Sequence, residues 1–254
     1  PLALQRRGTS VSAIGGSDNL LCAGVDGFLR LIEIDANTQS TRQHLTTTAG
    51  PRPGIAFSHD NDACLWTADE DGVLRVIDVE RDVEIAKATV SSAAATLTRV
   101  ADGTFSTASD SNAPTLWSLD GQRIVEMTSP RFEPHSHPLL TLMARSSGRW
   151  IAGIDTQGQV VVWNAKSGRI SDSDPISTGP AQSLRPHVAF GPQDKLLAAS
   201  GHGQVCRVYQ FSAKGKLKRF PDLPKVAGKG VSTLVWNSKV KGQLIVEDAT
   251  PRYL

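Results

Sequence analysis

The stretch from Glu133 to His137 (EPHSH) is the first place to look for metal or acid–base chemistry, because carboxylate and imidazole are common ligands for Zn²⁺-like ions. Two histidines at i and i+2 on an extended segment point to opposite faces, so one ion cannot take both His135 and His137 unless a turn intervenes. Asp60, Asn61 and Asp62 offer oxygens at loop spacing, and Asp69, Glu70 and Asp71 cluster before Gly72. Both clusters fall where a polar turn needs side chains that bond their own backbone, and Asx turns account for them without an ion. Histidines 44, 59, 187 and 202 stand singly beside turns, where surface or capping roles suffice. Cys22, Cys64 and Cys206 have no CxxC spacing and read as small buried apolar side chains. With no disulfide framework, the expected setting is a reducing compartment, the cytoplasm or nucleus. The sequence contains no GxSxG, no P-loop and no HExxH. The expectation is therefore no catalytic residue, no metal and no cofactor.

One segment carries a charge bias. KGKLKRFPDLPKVAGKG, from Lys214 to Gly230, holds six basic residues against the single acid Asp222. Lys214, Lys216, Lys218 and Arg219, with Phe220 as a stacking ring, are candidates for contact with RNA phosphates or an acidic partner. The other reading is a solvated edge strand, where lysine blocks sheet-to-sheet aggregation. The formal charge of the whole chain is +2, so its overall field argues for neither a nucleic-acid nor a membrane partner.

These residues must be positioned by something, and the elements are legible as a repeat. The chain has 254 residues, 39% apolar and 20% charged, with 22 Gly and 14 Pro, too apolar for disorder and too rich in turn formers for a helix bundle. VSAIGGSDNLLCAGVDGFLRLIEID (11–35) is followed by IAFSHDNDACLWTADEDGVLRVIDV (55–79) and a looser copy at 95–121. Further copies run over 139–168 and 187–211, and a sixth begins at Val231. Aligning Ile32, Ile77, Trp117, Trp163 and Tyr209 gives steps of 45, 40, 46 and 46 residues, a period that suits four short strands and their turns. Inside each copy, apolar runs of strand length meet Gly, Asp or Asn, which is strand-and-turn grammar and not a 3.6-residue period.

The copies resemble WD40 repeats. AFSHDN (56–61) and AFGPQDKLLAAS (189–200) are similar to the family's FSPDG-like turn and following strand. DGVLRVID and QGQVVVWN are similar to its DG turn and closing strand, and His135 falls at its Gly-His position. The resemblance covers nearly the whole chain and implies an all-β, WD40-like β-propeller as a single domain over 1–254. It implies six blades of four antiparallel strands, with seven blades or an open ring as alternatives. Residues 1–10, with Leu2 to Arg7 as a strand, would complete the last blade. It also implies a buried His–Ser/Thr–Asp–Trp network, for which the fourth copy has His135 and Trp163, with Gln157 at the Asp place.

By the same resemblance the chain is expected to be a non-catalytic scaffold whose partners are other protein subunits of a larger complex. Since no apolar run approaches the length of a membrane span, no membrane contact is expected. A ribonucleoprotein subunit using 214–230 is the alternative, and a central-channel enzyme a third. Partners of the family often sit on the turns between second and third strands and on the loops joining blades. That points to Asp26, Asp71, Gln157 and His202 in the turns, and to Arg52, Arg131, Phe132 and Arg185 in the loops. Arginine and aromatic residues on rigidly held loops are common binding hot spots. For Phe132 the alternative is a ring tucked under its own loop.

Overall fold

The computed structural model describes residues 10–13, 20–25, 28–35, 40–43, 47–48, 54–57, 64–69, 71–78, 81, 83–90, 96–101, 103–108, 112–145, 147–176, 186–191, 195–200, 205–221, 223, 231–236 and 243–248. Every regular element among them is a β-strand, and successive strands pair antiparallel as meanders.

The first sheet takes β1 (Ser10–Ala13), β2 (Leu20–Val25), β3 (Phe28–Asp35) and β4 (Ser40–Gln43), with β5 (Thr47–Thr48) also on β3. The second holds β6 (Gly54–Phe57), β7 (Cys64–Ala68), β8 (Val73–Asp78) and β9 (Val83–Thr89). The third holds β10 (Thr96–Ala101), β11 (Thr104–Ala108), β12 (Thr115–Asp120) and β13 (Arg123–Glu126). The fourth is β14 (Leu139–Ala144), β15 (Trp150–Asp155), β16 (Gln159–Asn164) and β17 (Ile170–Pro175). The fifth is β18 (Val188–Phe190), β19 (Leu196–Ser200), β20 (Cys206–Phe211) and β21 (Leu217–Arg219). A sixth sheet pairs β22 (Val231–Trp236) with β23 (Leu244–Asp248). Leu2 to Arg7, expected to join this last sheet, lie outside the described residues. The chain divides into two compact units, one of residues 1–109 and 115–127, the other of 110–114 and 128–254.

The burial pattern explains why the repeat reads as it does. In the second to fifth sheets the second strands are covered on both faces, so WIAGID in β15 is buried throughout and CLWTA in β7 nearly so, whereas third strands such as VLRVID in β8 mix buried and half-buried positions. Fourth strands have a wet face, and β9 and β17 carry charge accordingly. Sequence therefore shows apolar runs in the middle of each copy and polar residues at its end.

In the first unit Trp66 stacks on Phe105, with centroids 4.4 Å apart and planes 21° from parallel. Ala68, Leu74, Val76, Leu97 and Trp117 complete that core. In the second unit Trp150, Ile154, Val162, Leu197, Tyr209 and Phe211 form the main core. Indoles that enter these layers need a partner for their N–H. Trp117 donates to Thr107 Oγ1 at 2.9 Å, Trp163 to the Glu133 carbonyl at 3.0 Å, and Trp236 to the Ala189 carbonyl at 3.0 Å.

Candidate interaction surfaces

In the second and fourth sheets the turn between second and third strands is held by a buried carboxylate. Asp69, 1% exposed, accepts the backbone N–H groups of Asp71 (3.1 Å) and Val73 (2.8 Å) on Oδ1. Asp155, fully buried, accepts those of Gln157 and Gln159, each at 2.9 Å, in the same way. A tight turn leaves these donors without strand partners, and the Asx side chain supplies the acceptor. Gly72 then takes a φ of 74°, the left-handed conformation that Asp71-Gly72 implies.

A buried carboxylate also needs its charge answered. Asp69 Oδ2 accepts from Arg75 at 2.7 Å, and that guanidinium reaches Glu84 as well, at 3.5 Å. Asp155 Oδ2 lies 3.0 Å from His135 Nε2, which is also 2.9 Å from Gln159 Oε1. Both neighbours accept, so the imidazole carries its proton on Nε2, directed at Gln159. Among the described residues, Asp155 Oδ2 has only this charge contact.

His135 is thus a structural residue, as its repeat position implies, and with Gln157 at the place that Asp71 fills, the carboxylate beside His135 comes from another position. Asp155, two residues earlier, holds the turn, and Gln157 is its exposed tip. The spacing that marks it is Asp-x-x-Gly, with the Asp eight residues before the closing Ile77 or Trp163. Asp71 is the equivalent exposed tip in the first unit.

The joining loop at 131–135 lies flat. Glu133 N–H donates to the Gly168 carbonyl at 2.8 Å, and Ile170 N–H donates to Glu133 Oε2 at 2.8 Å. Arg131 is exposed, but Phe132 is only 7% exposed, so its ring is tucked in and offers no surface anchor. Asp26, Arg52, Arg185 and His202 lie outside the described residues.

The basic run forms the expected outer strand, β21, with Lys214, Lys216, Lys218 and Arg219 exposed and Phe220 43% exposed. Its turn is fastened to β17. Ser171 Oγ donates to the Lys214 carbonyl at 2.9 Å, Lys216 Nζ donates to the Ser171 carbonyl, and Leu217 N–H donates to Asp172 Oδ2 at 2.8 Å. Gly215 has φ 76° and sits against the Trp150 ring and Ser171 Oγ, where a Cβ would collide. In the fifth sheet Tyr209 takes the Trp place, and its hydroxyl donates to Asp174 Oδ2 at 2.8 Å. Burial, and then that bond, push its pKa above the ordinary tyrosine value.

Reactive groups do not converge. Burial raises the Cys64 thiol, with the Asp78 charge adding to it, and pushes Cys206 up to about 11. Neither is a thiolate nucleophile near neutral pH. Among the described residues no three His, Cys, Asp or Glu side chains gather as metal ligands.

No protein-family model and no curated protein sequence matches the chain. Solved structures do. The β-propeller domain of Myceliophteria thermophila Cps50 (Swd1) aligns at a TM-score of 0.66 and 15% identity, over 86% of this chain and 71% of that one. A chain of the Mitotic Checkpoint Complex aligns at 0.71 and 18% identity, over 99% of this chain and 78% of that one. The computationally designed Ika8 protein aligns at 0.68 and 14% identity, over 96% and 68%. With its repeated four-stranded meanders and these neighbours, the chain has the fold of a WD40-like β-propeller.

Proposed function

We propose that the chain is a non-catalytic scaffold that binds other protein subunits through the tips of the turns between second and third strands. The observation that carries this is the pair of buried carboxylates, Asp69 and Asp155, which fix those turns and leave Asp71 and Gln157 outside. Rigid backbone with exposed polar tips lowers the entropy cost of docking. One structural neighbour is a chain of the Mitotic Checkpoint Complex, which supports a complex subunit as the setting. The free thiols of Cys64 and Cys206 accord with a reducing compartment.

A second reading has one observation in its favour. Lys218, Arg219 and Phe220 lie exposed in sequence along and just past β21, as a ribonucleoprotein subunit would use them. Affinity isolation at physiological salt, with and without nuclease, separates the two. A stoichiometric protein partner that survives nuclease, and is lost from Asp71→Arg or Gln157→Arg, is the expected result. Loss of every partner on nuclease treatment would transfer the function to β21.

A further inference from the structure

In an antiparallel meander the first and third turns lie at one end of the sheet, opposite the second. In the fourth and fifth sheets those connections read RSSGR (145–149), AKSGR (165–169), GPQDK (191–195) and SAKGK (212–216), seven basic residues and one acid. The acid, Asp194, lies outside the described residues.

The two sheets bring these turns together. The 212–216 turn is bonded to Ser171, just past the 165–169 turn, and Gly215 abuts Trp150, just past the 145–149 turn. Phe190, at the end of β18, packs edge-on to Phe211 at 5.3 Å, and Phe211 packs edge-on to Trp150 at 5.9 Å. The Arg149 guanidinium lies over the Trp150 ring at 5.5 Å and that of Arg145 over Phe211 at 5.6 Å. Three sheet connections and an aromatic floor thus meet at one end of the second unit.

Arg149, Lys166, Arg169, Lys195 and Lys214 are exposed there, and none forms an ion pair among the described residues. Like charges gathered in excess of the nearby carboxylates, Glu133 on the Ile170 N–H and Asp172 on the Leu217 N–H, disfavour the folded chain and do nothing to guard a sheet edge, since turns present none. A bound anion accounts for them.

We infer that this end of the second unit is a docking site for an acidic, extended segment of a partner protein. It rests on the scaffold reading only in taking that partner to be a protein, and it uses the opposite sheet ends from Asp71 and Gln157. Guanidinium and ammonium groups suit carboxylates, with the arginines able to take them bidentately. The rings at this end are the floor and not the surface, Trp150 being 3% and Phe211 4% exposed, so they offer bases no stacking platform. The formal charge of +2 likewise lacks the broad field that a long polyanion exploits.

Fluorescence anisotropy of the full chain with a labelled oligoglutamate peptide, and with a labelled oligouridylate of equal charge, tests the assignment. The chain should prefer oligoglutamate. The variant Lys166→Glu/Arg169→Glu/Lys214→Glu should weaken its binding about tenfold or more. The neutral variant Lys166→Gln/Arg169→Gln/Lys214→Gln, with an unchanged melting temperature, should fall between. Equal binding by native and charge-reversed chains overturns the inference, as does tighter binding of oligouridylate. Sedimentation showing that the native chain self-associates through these three residues overturns it too. Protein capture that depends on Gln157 but ignores the charge reversal would sink this inference and leave the scaffold reading standing. The converse result would sink the scaffold tips alone.

Discussion

The two units build the same meander and finish it differently. In the first unit the connections between first and second strands, and between third and fourth, contain six acids and one base, Arg81. In the second unit the corresponding connections, with 237–243 included, contain nine bases and the acid Asp194. At the opposite sheet ends each unit fixes a turn with a buried Asp, but the neighbour of the second oxygen is the Arg75 guanidinium in one and the His135 ring in the other. The backbone requirement is shared, and the charge around it is free to vary. Strand pairing and the need to satisfy turn N–H groups set the fold, while recognition can be written in residues the fold does not use.

The largest effect that would break this comparison comes from the shared device itself. Asp69→Ala and Asp155→Ala each remove the acceptor of two backbone N–H groups and strand the partner cation or imidazole, and each should cost about 3 kcal/mol. Urea titration followed by tryptophan fluorescence measures it, and a loss below about 1 kcal/mol would show that neither carboxylate holds its turn. Asparagine sharpens the contrast, because it keeps Oδ1 and removes the charge. Asp69→Asn leaves a permanent guanidinium facing an amide and should cost about 1–2 kcal/mol. Asp155→Asn leaves the His135 Nε2–H on Gln159 Oε1, so under about 1 kcal/mol is expected. Equal losses would mean that the identity of the neutralising group is immaterial.

A smaller difference should appear with pH. His187, beside Ser200 in the second unit, has its pKa lowered from the ordinary 6.5 by burial, with no counter-charge to offset it. Between that lowered value and 6.5 the unfolded chain binds more protons than the folded one, so this stability is complete above 6.5 and is lost as pH falls from there through the folded-state value. Protection against hydrogen exchange in β18 and β19, taken relative to the intrinsic rate at each pH, should therefore fall on acidification more than protection in β7 and β8. His187→Gln should flatten that response. An unchanged response in the variant would assign the acid sensitivity elsewhere.

Much of this was legible in the sequence where local chemistry and tertiary need agree. Ile77, Trp117, Trp163 and Tyr209, aligned by period alone, all fall at a buried position of the third strand of their sheet, where the core requires an apolar side chain. Asp155 was missed because Gln157 occupies the place that Asp71 fills, and a residue alignment does not show which side chain turns inward. Only the pattern of backbone N–H groups decides that. Phe132 could not be placed from its loop, since its backbone lies against Gly168, in a turn more than thirty residues on. The basic turns escaped for a similar reason. A linear scan finds 214–230 because it is contiguous, whereas Arg149, Lys166 and Lys214 are gathered only by strand pairing and packing.

The smallest effect expected is at the tips. Asp71 and Gln157 are exposed, and what holds their turns is the N–H of each, donated to a buried neighbour. Asp71→Ala and Gln157→Ala keep those N–H groups, so each should change stability by no more than about 0.5 kcal/mol. A larger loss by urea titration would show that the side chains themselves support the turns, and would remove them as free recognition elements. Near-silence in stability makes them the clean probes of partner binding, because any partner lost with either variant is then lost at the contact and not through unfolding.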